Sequence, residues 1–153
     1  DAWHLPLPYL AAHDGADIIY VIAATTIEGL ADTTPCNEAW RWMCRSYALT
    51  LSCFVVFVNQ SGNDGQRDFW GRSFIAGPDG NLCAEVETAD QTVMVSEIDL
   101  GELRRQRIKL PFRRDDSLAH TLHLGQRVLE HKIERDGAVA IDSNSSTVAP
   151  KPR

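Results

Sequence analysis

Four cysteines and five histidines are the side chains of this 153-residue chain best suited to nucleophilic or metal chemistry. Cys36, Cys44, Cys53 and Cys83 form no Cys-x-x-Cys pair and show no zinc-type spacing. Cys44 falls on the apolar stripe of a helix, Cys53 at a helix C-terminal end where carbonyls disfavour a thiolate, and Cys83 in a strand beside a turn. All three are expected in the core. Cys36 stands in a first helical turn behind Thr34 as N-cap and Pro35, where the positive end of the helix dipole lowers a thiol pKa. Glu38 opposes a thiolate there and no histidine is near in sequence, so Cys36 is expected to be a packing thiol. Unpaired thiols fit a reducing, cytoplasmic setting. His120 and His123 share a helix face at i, i+3, with Asp116 before them and His131 after. A metal site is conceivable, but a solvated face is the expectation; no metal and no cofactor is called for.

The net charge of −6 and a pI near 5.3 argue against nucleic acid as a partner. The basic stretch "LRRQRIKLPFRR" is flanked by Glu97, Asp99, Glu102, Asp115 and Asp116, and reads as a solvated face rather than an anion site. No apolar run reaches the roughly 18 residues of a membrane span, so no membrane partner is expected.

The elements that would position these groups follow from periodicity. A short helix through Tyr9–Ala12 ends in the turn "HDG". "ADIIYVIAA" is a continuous apolar run, which predicts a strand covered on both faces. After the loop "TTIEGLADTTP", the positions Trp40, Met43, Cys44, Tyr47, Ala48 and Leu51 make one buried helical stripe. "CFVVFVN" is a second buried strand, "QSGNDGQRD" a polar loop, and "PDGN" a hairpin turn between "FWGRSFIAG" and "LCAEVE". "QTVMVSEIDL" reads as a further strand, "GELRRQRIK" as a short helix, and "SLAHTLHLGQRVLEHKIER" as a longer one weakened by Gly125. The order predicts an α/β (α+β) domain over residues 1–135, a mixed sheet carrying helices, with a flexible tail over 136–153.

In this order the segments resemble the C-terminal half of the nitrilase, or carbon–nitrogen hydrolase, superfamily, from Asp1 to about Arg114. "DAW" with its helix and "GADIIYVIAAT" is similar to the stretch that follows the family's nucleophile. "RSYALTLSCFVVFVNQSG" resembles the helix-to-strand segment ending in a variant of "VVxxNxxG". "FWGRSFIAGPDGNLCAEV" resembles the hairpin "F-[YW]-G-x-S-x-[IV]-x-x-P-x-G", and "VMVSEIDL" with its basic helix resembles the closing strand and exit. Where many relatives carry Glu-Asn before the "VVxxN" strand, this chain has Thr50 and Leu51. "DAW" is also similar to the glutaminase domains attached to NAD synthetases; a free-standing amidase is preferred.

The resemblance implies half of a four-layer αββα sandwich and hydrolysis of a linear amide through a cysteine thioester. It places the nucleophile two positions ahead of Asp1, and the family's glutamate and lysine earlier still, so the upstream half of the same fold is an expected partner. The chain alone is expected to be inactive and to supply the wall of the site. Asp1, Trp3 and His4 lie just after the nucleophile position; Ala24 and Thr25 end a strand, where open α/β sheets bind ligands. Asn59 and Ser73 brace the surrounding loops, and Trp70 contributes a wall. Helices matching Pro6–Ala12 and Glu38–Leu51 pair in relatives, which implies a homo-oligomer acting on a small-molecule amide. The alternatives are a catalytically inactive assembly subunit and an unrelated α/β binding domain.

Overall fold

The computed structural model describes residues 2–28 and 36–135, with the backbone alone for Cys36, Asn37, Glu134 and Arg135. Expectations for Asp1, for the Thr34–Pro35 cap and for the tail over 136–153 lie outside the described residues. One compact unit runs to Asp116 and a second begins at Ser117.

In the first unit, helix α1 (Pro6–His13) leads through Gly15, at φ +114°, into strand β1 (Ile18–Ala23). Helix α2 (Cys36–Thr50) crosses to strand β2 (Phe54–Asn59), which runs parallel to β1 in the register Ile18↔Phe54 to Ala23↔Asn59. α2 closes in a Schellman motif: the Ser52 N–H donates to the Leu49 carbonyl at 3.4 Å and the Cys53 N–H to Ala48 at 3.2 Å. Ser52 takes the left-handed conformation, φ +48°, that such a motif requires.

"QSGNDGQRD" is not a bare loop. Its ends pair as β3 (Ser61–Asn63) and β4 (Asp68–Trp70), antiparallel. Gly65, at φ +90°, and the Asn63 and Asp64 side chains bonded to following amides close the turn between them. Strands β5 (Phe74–Ala76) and β6 (Leu82–Glu85) are joined by the expected turn, with the Gly77 N–H on the Asn81 carbonyl at 2.8 Å and Gly80 at φ +79°. The sheet order is β1-β2-β5-β6, a mixed sheet in an α/β fold.

Alternation along β2 explains its unbroken apolar composition. Val55 and Phe57 face one core with Ala12 of α1 and the α2 stripe read from the sequence, Trp40, Cys44, Tyr47, Ala48 and Leu51 buried and Met43 partly so. Phe54 and Val56 face a second core with Ile75 and Leu103. Burying Phe57 completely is worth about 2 kcal/mol. β1 departs from expectation: Val21 is buried and Ile18 packs on the second core, but Tyr20 and Ile22, farther along the Ile18 face, are 64% and 84% exposed.

"QTVMVSEIDL" is not a strand among the described residues. It joins no ladder, and Val93 and Val95 are almost fully exposed, because a β-prone segment without a hydrogen-bonding partner strand is only extended chain. Its Met94 and Ile98 pack on the second core. Asp99 caps helix α3 (Leu100–Lys109), its carboxylate accepting from the Gly101 N–H at 2.7 Å. A single turn, α4 (Phe112–Asp115), follows. In the second unit, α5 (Leu118–Arg135) runs unbroken through Gly125; the cost of one helical glycine, about 1 kcal/mol, is spread over 18 residues.

Candidate functional site

β1 and β2 are parallel, so their carboxyl ends lie side by side, and the chain leaving them meets the chain entering β5. Asn59, the last residue of β2 and 8% exposed, joins all three segments. Its Oδ1 accepts from the Thr25 N–H at 2.8 Å. Its Nδ2 donates to the carbonyls of Thr25 at 3.3 Å and Gly71 at 3.1 Å. Its own N–H donates to Ser73 Oγ at 3.0 Å. Around this amide the backbone completes the knot: Gln60 N–H to Ala23 O at 2.9 Å, Trp70 N–H to Thr25 O at 2.9 Å, and Gly71 N–H to Gln60 O at 3.0 Å. A buried asparagine so fully satisfied is a rigid brace, because loosening any strand end leaves a buried donor or acceptor unpaired. Gly71 must be glycine on two counts: it sits at φ +63°, and a Cβ there would meet the Ala89 backbone at 3.0 Å.

Thr25, Asn59, Ser73 and Trp70 are therefore brought together at this strand end. Ala24 is exposed at the same strand end. Trp3 reaches the knot by a file of rings. It lies 4.6 Å from Trp40, Trp40 lies 5.0 Å from Phe57, and Phe57 lies 6.0 Å from Trp70. His4 is exposed, and its carbonyl accepts from the Leu7 N–H at 2.9 Å.

Three features escaped the sequence reading. The Tyr47 hydroxyl donates to the Ala2 carbonyl at 2.7 Å, tying the residues ahead of α1 to α2. A buried tyrosine needs a partner for its hydroxyl, which was the available signal. Arg41 forms a two-pronged ion pair with Glu85, one arm at 3.0 Å, and its guanidinium lies over Trp70 at 5.8 Å and Phe74 at 5.9 Å. That pair links α2 to β6 and holds Trp70 from behind. Gly71 was legible only as one letter of "FWGRS".

The described thiols all have raised pKa values. Burial pushes Cys44 up to about 12. It pushes Cys53 up to about 11 against the pull of Arg107 and Arg113. Cys83 was expected in the core and is exposed, because it is the extra residue of a β-bulge: Ile75 faces Ala84 and Ala76 faces Leu82, which leaves Cys83 between. Its thiol is nonetheless raised, by partial desolvation and then by Asp79 and Glu102. Among the described residues no three His, Cys, Asp or Glu side chains gather as a metal site, and no helix is long and apolar enough to cross a membrane.

Comparison with known proteins bears on this arrangement. The family profile "Carbon-nitrogen hydrolase" matches residues 1–108. The chain is 28% identical over 101 residues to the "Hydrolase in agr operon" of Staphylococcus aureus, covering 65% of this chain and 35% of that protein. It is 26% identical over 115 residues to the N-carbamoylputrescine amidase of Solanum tuberosum, covering 70% of this chain and 38% of that one. The solved structure of a carbon–nitrogen hydrolase from Helicobacter pylori G27 superposes with a TM-score of 0.67 at 24% identity, over 81% of this chain and 46% of the other, and shares its fold. The chain thus spans between about a third and just under half of the length of these relatives. A profile covering residues 1–108, and a fold shared with a solved member, decide the matter: the chain belongs to the carbon–nitrogen hydrolase family.

Proposed function

We propose that this chain forms one wall of the active site of a cysteine-dependent amidohydrolase that cleaves a small, linear, non-peptide amide through a thioester. The observation that carries the reading is the family match over residues 1–108, whose segments meet at the Asn59 knot. In this reading a glutamate takes the thiol proton as sulfur attacks the amide carbon, and a lysine with N–H donors holds the tetrahedral oxyanion. Its collapse breaks the C–N bond with that proton passing to the leaving nitrogen, and water then hydrolyses the thioester to the acid and the free thiol. Those three side chains come from polypeptide outside residues 1–153. The elevated pKa values of Cys44, Cys53 and Cys83 support this, since none of them offers a ready thiolate.

The residues present take positioning roles. Asp1 steadies the turn after the nucleophile. Trp3, His4 and Trp70 line the pocket, Ala24 and Thr25 present backbone to the substrate, and Asn59 with Ser73 fixes the loops. The bare sheet face of Tyr20, Ile22 and Val58 supports a second layer packing there, as an upstream half of the same fold would. Exposed Leu7 and Leu10 on α1 and Trp42 on α2 support pairing between copies.

The test is ammonia release from a panel of small linear amides by the product of the complete reading frame. Turnover is expected, abolished by iodoacetamide and by replacing the cysteine two positions ahead of Asp1, with residues 1–153 alone inactive. Turnover by residues 1–153 with Cys36, Cys44, Cys53 and Cys83 all changed to Ser would overturn the proposal. A complete product that folds but turns over no amide would favour the inactive assembly subunit instead.

A further inference from the structure

Helix α5 carries an apolar face that is left largely open to solvent. With about 3.6 residues per turn, Leu118, Leu122, Gly125, Leu129 and Ile133 fall within an arc of about 80°, and Leu124 and Val128 widen it on one side. Leu122 is 60% exposed and Val128 66%. The opposite face carries His120, His123, Arg127, Glu130 and His131, with the Gln126 amide donating to Glu130 at 3.2 Å. A continuous apolar strip along a helix about 27 Å long is a contact surface rather than a scatter of single exposed residues.

The spacing along this strip is complementary to itself. Leu122 stands three residues before Gly125 and Leu129 four after it; Leu118 stands seven before and Ile133 eight after. Two antiparallel copies crossing between Gly125 and Gln126 therefore set Leu122 against the partner's Leu129 and Leu118 against the partner's Ile133, and a two-fold axis repeats both contacts. At the crossing Gly125 has open space around it and no side chain to hold two helices apart. Inside a lone helix the same glycine only weakens the structure.

Charge selects the antiparallel sense. Residues 118–126 include no Lys, Arg, Asp or Glu, whereas Arg127, Glu130 and Lys132 follow in the second half. Parallel copies would stack Lys132 on Lys132 at the edge of the strip. Antiparallel copies set each charged half against an uncharged one and bring opposite ends of the two helix dipoles together. A lipid surface is the poorer occupant, because Glu130 interrupts the basic groups and the apolar face bears no aromatic anchor.

We infer that α5 is a docking helix for a second copy of this chain, the two helices pairing antiparallel across a two-fold axis centred beside Gly125. A strip of this length is smaller than a stand-alone interface, which makes the pairing weak and reversible. It uses a surface separate from α1 and α2 and does not depend on the catalytic reading.

Cysteine bridging in the complete protein tests the register. Leu122→Cys and Leu129→Cys each replace an exposed side chain, so both variants should fold. Mixed in equal amounts under mild oxidation, they should give at least about tenfold more bridged dimer than either variant alone or the unchanged protein, whose own cysteines set the background. Adding Ile133→Lys to both, again at an exposed position, should cut that yield at least about fivefold. Bridging within each single variant, as strong as in the mixture, would overturn the antiparallel register. No excess in the mixture, because a lipid surface or another segment of the complete protein holds the face, overturns the inference. So does a yield that Ile133→Lys leaves unchanged.

Discussion

The two ends of β2 treat buried polar groups in opposite ways. At the carboxyl end, the Asn59 amide is bonded to Thr25 and Gly71, and Ser73 takes the backbone N–H. At the amino end, Ser52 Oγ and Arg107 Nη2 are equally buried and bond nothing. The first end is a finished joint that fixes three chain segments. The second leaves two walled-in donors without a partner among the described residues.

Four measurements break or sharpen this contrast. The largest effect concerns the thiols beneath the sheet. At pH 8 a thiol pushed to about 12 or about 11, as Cys44 and Cys53 are, should label at least about 100-fold more slowly than a free cysteine. Mass spectrometry after native alkylation should find Cys83 modified and these two intact until the pH approaches their raised values. Because folding raises both, the neutral thiol stabilises the fold fully below pH 9. That contribution should fade as the pH climbs through about 11. Fast labelling of Cys53 at pH 8 would show that the Ser52 end is open to solvent rather than packed.

Next comes the knot itself. Asn59→Ala should cost about 3 kcal/mol in urea unfolding, since it strands the Thr25 N–H and the Gly71 carbonyl at once. A loss below about 1 kcal/mol would mean the carboxyl end is less of a joint than its bonds imply. Tyr47→Phe removes one hydroxyl bond to Ala2 and should cost about 1 kcal/mol, with faster hydrogen exchange over the residues leading into α1. The smallest change has the opposite sign. Ser52→Gly relieves a left-handed serine and deletes an orphaned hydroxyl, so the protein should gain about 0.5 kcal/mol, visible as a higher midpoint in thermal unfolding.

Much of the carboxyl end was legible in the sequence. A polar residue closing an apolar strand has to spend its hydrogen bonds on neighbouring loops, and Asn59, Thr25 and Ser73 follow that logic. The buried stripe of α2 and the "PDGN" turn were legible because each is a local periodicity or a local turn chemistry. The amino end was not. Ser52 becomes unusual only through a positive φ, and its partner in space, Arg107, lies 55 residues away. "QTVMVSEIDL" has the composition of a strand, but composition cannot supply a neighbour, and the described residues offer none. Cys83 was misplaced because a bulge moves one residue out of an alternation that sequence alone continues. The bare face of β1 follows the same rule: apolar residues on both faces announce a covering layer without saying which polypeptide brings it.

The ring file from Trp3 through Trp40 and Phe57 to Trp70 gives the molecule its own optical gauge. Trp3 is 44% exposed, whereas Trp40 and Trp70 are buried, so water quenches and shifts one indole while its neighbours stay dark to solvent. Trp42, at 62% exposed on α2, would add an emission of its own that pairing between copies would shift. Intrinsic ultraviolet emission would therefore register a molecule settling against Trp3 as a blue shift, with no dye attached.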